Sequence, residues 1–145
     1  GYIAIEVALG AGAEDVIIPE REFDFENMVN EIKEGNKKGK VSWMVVVAEG
    51  AGKAEEIAKT ITTVTGLQSR YVVLGHIQRG GTPSGRDRIL ATRLGAAAVD
   101  CVLIGEFGKA IGVWADEINI IDLKDATQKE FRHINQYQRL IEVLT

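Results

Sequence analysis

"VVLGHIQRGGTPSGRDRILATRLG", residues 72–95, decides how the rest of the chain is read. An apolar run stops at His76 and Arg79, crosses Gly80 and Gly81, and enters a segment carrying Arg86, Arg88 and Arg93. "SRYVVLG", which includes its start, has the composition of a strand. Ser84 followed by Asp87 fits a capping box and predicts a helix beginning near Gly85. In α/β sheets, ligands bind beyond the C-terminal ends of strands. The double glycine permits unusual backbone conformations or the close approach of a ligand or second segment. His76 and Arg79, beside free N–H groups at a helix start, suit a phosphate or carboxylate. Equally, His76 reads as a satisfied loop histidine and the arginines as solvated. The residues leave both readings open.

The chain has 145 residues, 46% hydrophobic and 26% charged, which is ordinary globular composition and one-domain length. A net charge of −4 and a pI near 5.3 give no support to general nucleic-acid or membrane-surface binding. Any anion site is therefore a local focus of basic groups on an acidic body. The single cysteine, Cys101, cannot form an internal disulfide, and in "AVDCVLIG" it reads as a buried small hydrophobe. No apolar run approaches the ~20 residues that span a bilayer. There is no initiator Met, and "GYIAIEVALGAG" reads as helix from its first residues, so the chain is read as beginning in mid-domain.

Outward from the opening stretch, helices and strands alternate. Ile3, Val7 and Ala8 share a face at helical spacing, with "GAG" at 10–12 as a stop. "DVIIPE" predicts a short buried strand. "DFENMVNEIKEGNKKG" predicts an amphipathic helix with Asp24 as N-cap, Asn27 at N3, an apolar stripe of Phe25, Met28, Val29 and Ile32, and an end at Gly35 and Gly39. "VSWMVVVAEG" predicts a central parallel strand, apolar on both faces. "KAEEIAKTITTVTG" is helical and closes with Gly66. "GRDRILATRLGAAAVDCVLIG" predicts a long helix, "KAIGVWADEINIIDL" a strand, turn and strand, and "INQYQRLIEVLT" a final helix. The alternation argues for an α/β fold with a mainly parallel sheet.

Glu49 closes "WMVVVAE". A carboxylate at a strand tip can accept hydrogen bonds from sugar hydroxyls or do acid–base work, or be simply the first polar residue after a strand. "KEGNKKGK", residues 33–40, gathers four lysines, read either as solvated loop charges or as a phosphate grip. The Gly-Lys pairs at 39–40, 52–53 and 108–109 are not followed by Ser or Thr, so the P-loop pattern fails. His76 and His133 do not make a metal cluster.

"LGHIQRGGTPSGRDRILATRLGAAAVD" resembles the signature of the 6-phosphofructokinases, LGHxQRGGxPxxxDRxLAxRxG. The likeness extends back through "AEG", "KKGK" and "GAGAEDVIIPE" and weakens after about residue 122. It implies part of a two-domain, three-layer Rossmann-like fold, and transfer of a phosphoryl group to the 1-hydroxyl of fructose 6-phosphate in glycolysis, in the cytoplasm. Residues 1–77 would form most of the smaller domain that binds sugar phosphate and effector. Residues 78–128 would be a segment of the larger domain, and 129–145 a C-terminal helix returning to the smaller one.

The resemblance implies that Glu49 contacts sugar hydroxyls, that His76 and Arg79 hold the substrate phosphate, and that Arg70 reaches into a neighbouring subunit's site. That last role implies a homo-oligomer, a tetramer in this family. Gly12, through its carbonyl, and Glu14 match the segment contacting an effector's magnesium, while Lys38 and Lys40 match basic effector contacts for a nucleotide diphosphate or phosphoenolpyruvate. Val41 and Ser42 stand where some allosteric members carry further basic residues. The glycine-rich donor loop, GGD segment, TIDND segment with its catalytic aspartate, and MGR motif of the family belong upstream of Gly1. Mg2+ with ATP, or with pyrophosphate in a pyrophosphate-dependent relative, is thus expected mainly on the missing half. No catalytic base and no active-site metal ligand is expected here. A non-catalytic sugar-phosphate or effector-binding module is the other reading.

Overall fold

The computed structural model describes residues 1–128 and 133–144. They fall into two compact units. One holds Gly1–Val73 with the described residues after 132, and the other runs from Leu74 to the last described residue before the gap, Gln128.

In the first unit, helix α1 (Tyr2–Ala11) leads to strand β1 (Asp15–Ile17), helix α2 (Phe25–Lys37), strand β2 (Val45–Val47) and helix α3 (Ala54–Thr65). Helix α6 (Ile134–Leu144) completes it, packed against α1 and β1. The start of the predicted 129–145 segment lies outside the described residues. β1 and β2 pair in parallel, with Asp15 opposite Val45, Val16 opposite Val46 and Ile17 opposite Val47. Left-handed Gly12 (φ 69°) and Gly66 (φ 72°) end α1 and α3, as their positions after the apolar periods predict.

Two apolar clusters hold this unit. Ile5, Ala8, Ala13, Val16, Ile18, Ile134 and Ile141 form one, and Met28, Ile32 and Ile61 the other, backed by Phe25, Trp43 and Val45. Fully burying each of the larger side chains contributes roughly 1.5–3 kcal/mol before entropy is counted. The buried face of α1 is Ile5 and Ala8; of the expected stripe only Ala8 is buried, and Ile3 and Val7 are exposed. "YIAIEVALGA" is apolar almost all round, so its periodicity cannot choose a face; packing against β1, β2 and α6 does.

The expected stripe of α2 holds: Met28, Val29 and Ile32 are buried and Phe25 half-buried. Asp24 caps it, its Oδ1 accepting the Asn27 N–H at 2.8 Å. Gly35 does not end this helix, which runs on to Lys37. A Cβ on Gly35 would stand 3.0 Å from the Trp43 ring, so the glycine serves packing.

The second unit opens with a 3-10 turn (Gly75–Arg79), followed by helix α4 (Gly85–Leu103), strands β3 (Lys109–Trp114) and β4 (Glu117–Asp122), and the short helix α5 (Leu123–Ala126). The capping box is present: Ser84 Oγ accepts the Asp87 N–H at 3.2 Å, and Asp87 accepts the Ser84 N–H at 2.7 Å. β3 and β4 form an antiparallel hairpin in which α4 packs on β3, and Cys101 is buried as expected. Its two-residue turn has Ala115 at φ 50° and Asp116 at φ 66°, the positive pair of a type I′ turn.

Two strand expectations are corrected. Within "VSWMVVVAEG" only Val45–Val47 forms a strand, half-buried and, among the described residues, paired with β1 alone. "SRYVVLG" contains no strand. Among the described residues no segment bonds the backbone of Arg70–Val73, and Val72 and Val73 are exposed. A strand exists only by its ladder, and composition cannot supply a partner. No described helix is long and apolar enough to cross a membrane.

Candidate functional site

The parallel pair places Glu49 where the strand-end rule asks. After β2, the Ala48 N–H donates to Ile17 C=O at 2.9 Å, and the chain turns as the Ala51 N–H donates to Ala48 C=O at 2.9 Å. Glu49 stands exposed in that turn. Arg70, in the same unit, is exposed on the segment after α3. Nearby Ser69 and Tyr71 join Glu55, Ala58, Lys59, Thr62 and Thr63 around an open groove of about 380 Å³ that includes none of the expected site residues.

His76 and Arg79 belong to the second unit. They are not in a loop after a strand but in the 3-10 turn, at i and i+3. In a helix of about three residues per turn such positions eclipse, so both side chains share one face. Both are exposed and face solvent in this chain. Gly80 ends the turn at φ 83° and ψ −172°, a conformation open to glycine alone. A Cβ at Gly80 or Gly81 would meet no atom within 4 Å, so conformation, not close packing, accounts for Gly80. Thus Glu49 and Arg70 lie on one compact unit, His76 and Arg79 on the other.

Of the expected effector residues, Glu14 and Lys40 meet where β1 and β2 begin, with Gly12 and Lys38 each two residues before one of them. Gly12 is the C-cap of α1, and Lys38 the exposed C-cap of α2. Lys40 is committed to Glu14, with Nζ 3.0 Å from one carboxylate oxygen. The other oxygen accepts the Met44 N–H at 2.6 Å. Burial pushes the Glu14 carboxyl up, but the Met44 N–H and the Lys40 ammonium together bring it below its ordinary value.

Two residues of this cluster were missed in the sequence. Lys40 Nζ lies 4.3 Å from the Trp43 ring centroid, and Trp43 Nε1 donates to Asp15 Oδ2 at 2.7 Å. Burial raises the Asp15 pKa, against the lowering effect of the Trp43 bond, with Glu31 and Glu14 adding to the rise. The only signal was a tryptophan just before an apolar run, which strand composition absorbed. Among the described residues no group of three His, Cys, Asp or Glu gathers to hold a metal ion.

Together these features define an α/β chain with a carboxylate at a strand tip and a His–Arg pair on a glycine-ended turn. The family model described as Phosphofructokinase matches residues 1–102. Over 145 residues the chain is 42% identical to an ATP-dependent 6-phosphofructokinase of Clostridium tetani, covering 100% of this chain and 46% of that protein. An ATP-dependent 6-phosphofructokinase of Bacillus cytotoxicus is 42% identical over 139 residues, 95% of this chain and 44% of the relative. A solved phosphofructokinase from Saccharomyces cerevisiae superposes with a TM-score of 0.71 at 28% identity, covering 99% of this chain and 20% of that one. The chain belongs to the phosphofructokinase family and has the fold of a part of it. It spans under half the length of the curated relatives it matches.

Proposed function

We propose that this chain is the C-terminal part of an ATP-dependent 6-phosphofructokinase, a cytoplasmic enzyme that phosphorylates fructose 6-phosphate to fructose 1,6-bisphosphate. One observation carries the reading: a 42% identity that runs the whole length of the chain to a relative of that name. In this reading the fructose 1-hydroxyl attacks the γ-phosphorus of ATP and a base takes its proton. The new O–P bond forms as the bond to the ADP oxygen breaks. Such transfer depends on positioning and charge stabilisation.

The chain contributes acceptor grip. Glu49 accepts hydrogen bonds from sugar hydroxyls. His76 and Arg79, sharing a face of one turn, hold the 6-phosphate, for which a guanidinium fork suits a dianion better than a lysine would. Arg70 serves a neighbouring subunit in a homotetramer. Mg2+ with ATP and the catalytic base belong to segments outside these residues. Gly12, Glu14, Lys38 and Lys40 are the contacts for a nucleotide diphosphate or phosphoenolpyruvate effector, which must compete with Glu14 for Lys40. Residues 1–77 make up most of the smaller domain, 78–128 a segment of the larger, and 129–145 return to the smaller.

Arg79→Ala in a full-length enzyme carrying this chain tests the assignment. Loss of a charge-assisted bond worth roughly 1.5–3 kcal/mol should raise the KM for fructose 6-phosphate by about tenfold or more. The KM for ATP should stay near the parent value. An unchanged sugar-phosphate KM removes Arg79 from the site.

A further inference from the structure

The ladder that carries Glu49 is short. β1 and β2 share three residue pairs, and the three β2 residues are all valines, half-buried alike, so their side chains distinguish one register from the next only weakly. A slip of one residue would move β2 by ~3.3 Å and turn every side chain to the opposite face. Two sets of bonds bound the ladder. At its far end the Ala48 N–H meets Ile17 C=O at 2.9 Å, immediately before Glu49. At its near end Glu14 and Met44 exchange two bonds. The Glu14 N–H donates to Met44 C=O at 3.0 Å, and the Met44 N–H donates to the Glu14 carboxylate at 2.6 Å.

The second bond is the unusual one. A side-chain carboxylate supplies the acceptor that a neighbouring strand's carbonyl would supply in a longer ladder, so both the N–H and the C=O of Met44 are held by one residue. Lys40, on the other carboxylate oxygen at 3.0 Å, fixes the orientation of the Glu14 group and offsets its charge. Glu14 exposes only 13% of its side chain, although its partner Met44 is itself exposed. The Asp15 N–H also reaches Met44 C=O, at 3.3 Å, and Trp43, one residue earlier, is tied to Asp15.

We propose that Glu14 is a positioning residue for substrate binding: by pinning the Met44 peptide it sets the register of β2 and with it the place of Glu49 at the other end of the strand. This rests on the reading of Glu49 as a contact for the sugar hydroxyls. It gives Glu14 a role that operates with no effector bound.

Two measurements on the full-length enzyme test it. Glu14→Ala should speed amide hydrogen exchange across residues 44–48 and raise the KM for fructose 6-phosphate by roughly 2- to 10-fold, the value of one hydrogen bond, with kcat moving less. Glu14→Gln, which keeps an acceptor for the Met44 N–H, should restore most of both. In a Glu49→Ala background, Glu14→Ala should add no further loss of substrate affinity. Parent-like exchange at 44–48 in Glu14→Ala overturns the pin. Multiplying KM effects overturn the route through Glu49. An unchanged KM in Glu49→Ala itself sinks the reading of Glu49 and its dependence on Glu14, whatever exchange shows. Should Glu14→Ala fail to fold, Lys40→Met carries the test: freeing the carboxylate that holds the Met44 N–H should speed exchange at 44–48 above the parent rate, and a parent-like rate there overturns the pin.

Discussion

Trp43 Nε1 donates to Asp15 Oδ2 at 2.7 Å, tying the segment before β2 to the first residue of β1 across 28 positions of sequence. The bond is partly buried, and Asp15 keeps its carboxyl pKa above the usual value because burial disfavours its charge. Its neighbour Glu14 is shifted the other way, since the Met44 N–H and Lys40 outweigh the effect of burial. Two adjacent carboxylates thus respond oppositely to acid.

The sign follows from each folded value. Glu14, held below 4.5, contributes stability present above that value and lost as pH falls through its folded pKa. Asp15, held above 3.8, contributes stability present below that value and lost as pH rises through its folded pKa. Glu14→Gln should therefore make the acid loss of stability shallower, and Asp15→Asn should make it steeper. Thermal midpoints followed from about pH 3 to 6 read both slopes. At neutral pH, Asp15→Asn should be no less stable than the parent, because the amide oxygen still accepts from Trp43 without a buried charge. Trp43→Phe should lose about 1–3 kcal/mol, the cost of stranding the carboxylate.

The hairpin turn of the second unit is held from outside. Arg93 on α4 donates to the Asp116 carboxylate at 3.1 Å and also to the Asp116 backbone carbonyl. Ala115 occupies the left-handed region without being glycine, at a cost of roughly 1–2 kcal/mol. Ala115→Gly is expected to raise stability by about 1 kcal/mol once the greater freedom of glycine in the unfolded chain is subtracted. Arg93→Lys should behave much like Arg93→Ala, because a point charge cannot span both acceptors. Urea unfolding of the three variants checks this.

Gly35 should reverse the usual rule for glycine in a helix. Alanine there would ordinarily gain about 1 kcal/mol. Here its Cβ would press on the Trp43 ring at 3.0 Å, and that ring is held by Asp15. Gly35→Ala is expected to destabilise the parent but to stabilise a Trp43→Ala background. Unfolding free energies for the four-member cycle decide it.

The isolated 145-residue chain should not phosphorylate fructose 6-phosphate from ATP. A coupled assay for fructose 1,6-bisphosphate, on material freed of host phosphofructokinase, should stay at background; turnover would place a base and donor site within these residues.

Much of the architecture was legible because its signals are local. Asp24 caps α2 through Asn27 three residues on, Ser84 and Asp87 close their box, and Gly12 and Gly66 end their helices in the left-handed region. Each acts within a turn of itself, so spacing alone exposes it. The strands were less legible. "VSWMVVVAEG" and "SRYVVLG" look alike in composition, yet only Val45–Val47 has a described ladder. For the candidate site, Glu49 stands at the expected strand tip, while His76 and Arg79 moved from loop to 3-10 turn. The Asp15–Trp43 bond had no readable pattern at all.

Most helix caps, the hairpin turn and the family were legible from neighbouring residues alone, because capping, glycine conformations and a contiguous motif are local. Which face of α1 is buried, which apolar runs pair, and that Lys40 is engaged by Glu14 emerge only when the chain is folded. Those outcomes depend on partners distant in the chain: a ladder needs a second strand, and a carboxylate finds its ammonium only after β1 and the end of α2 have been brought side by side.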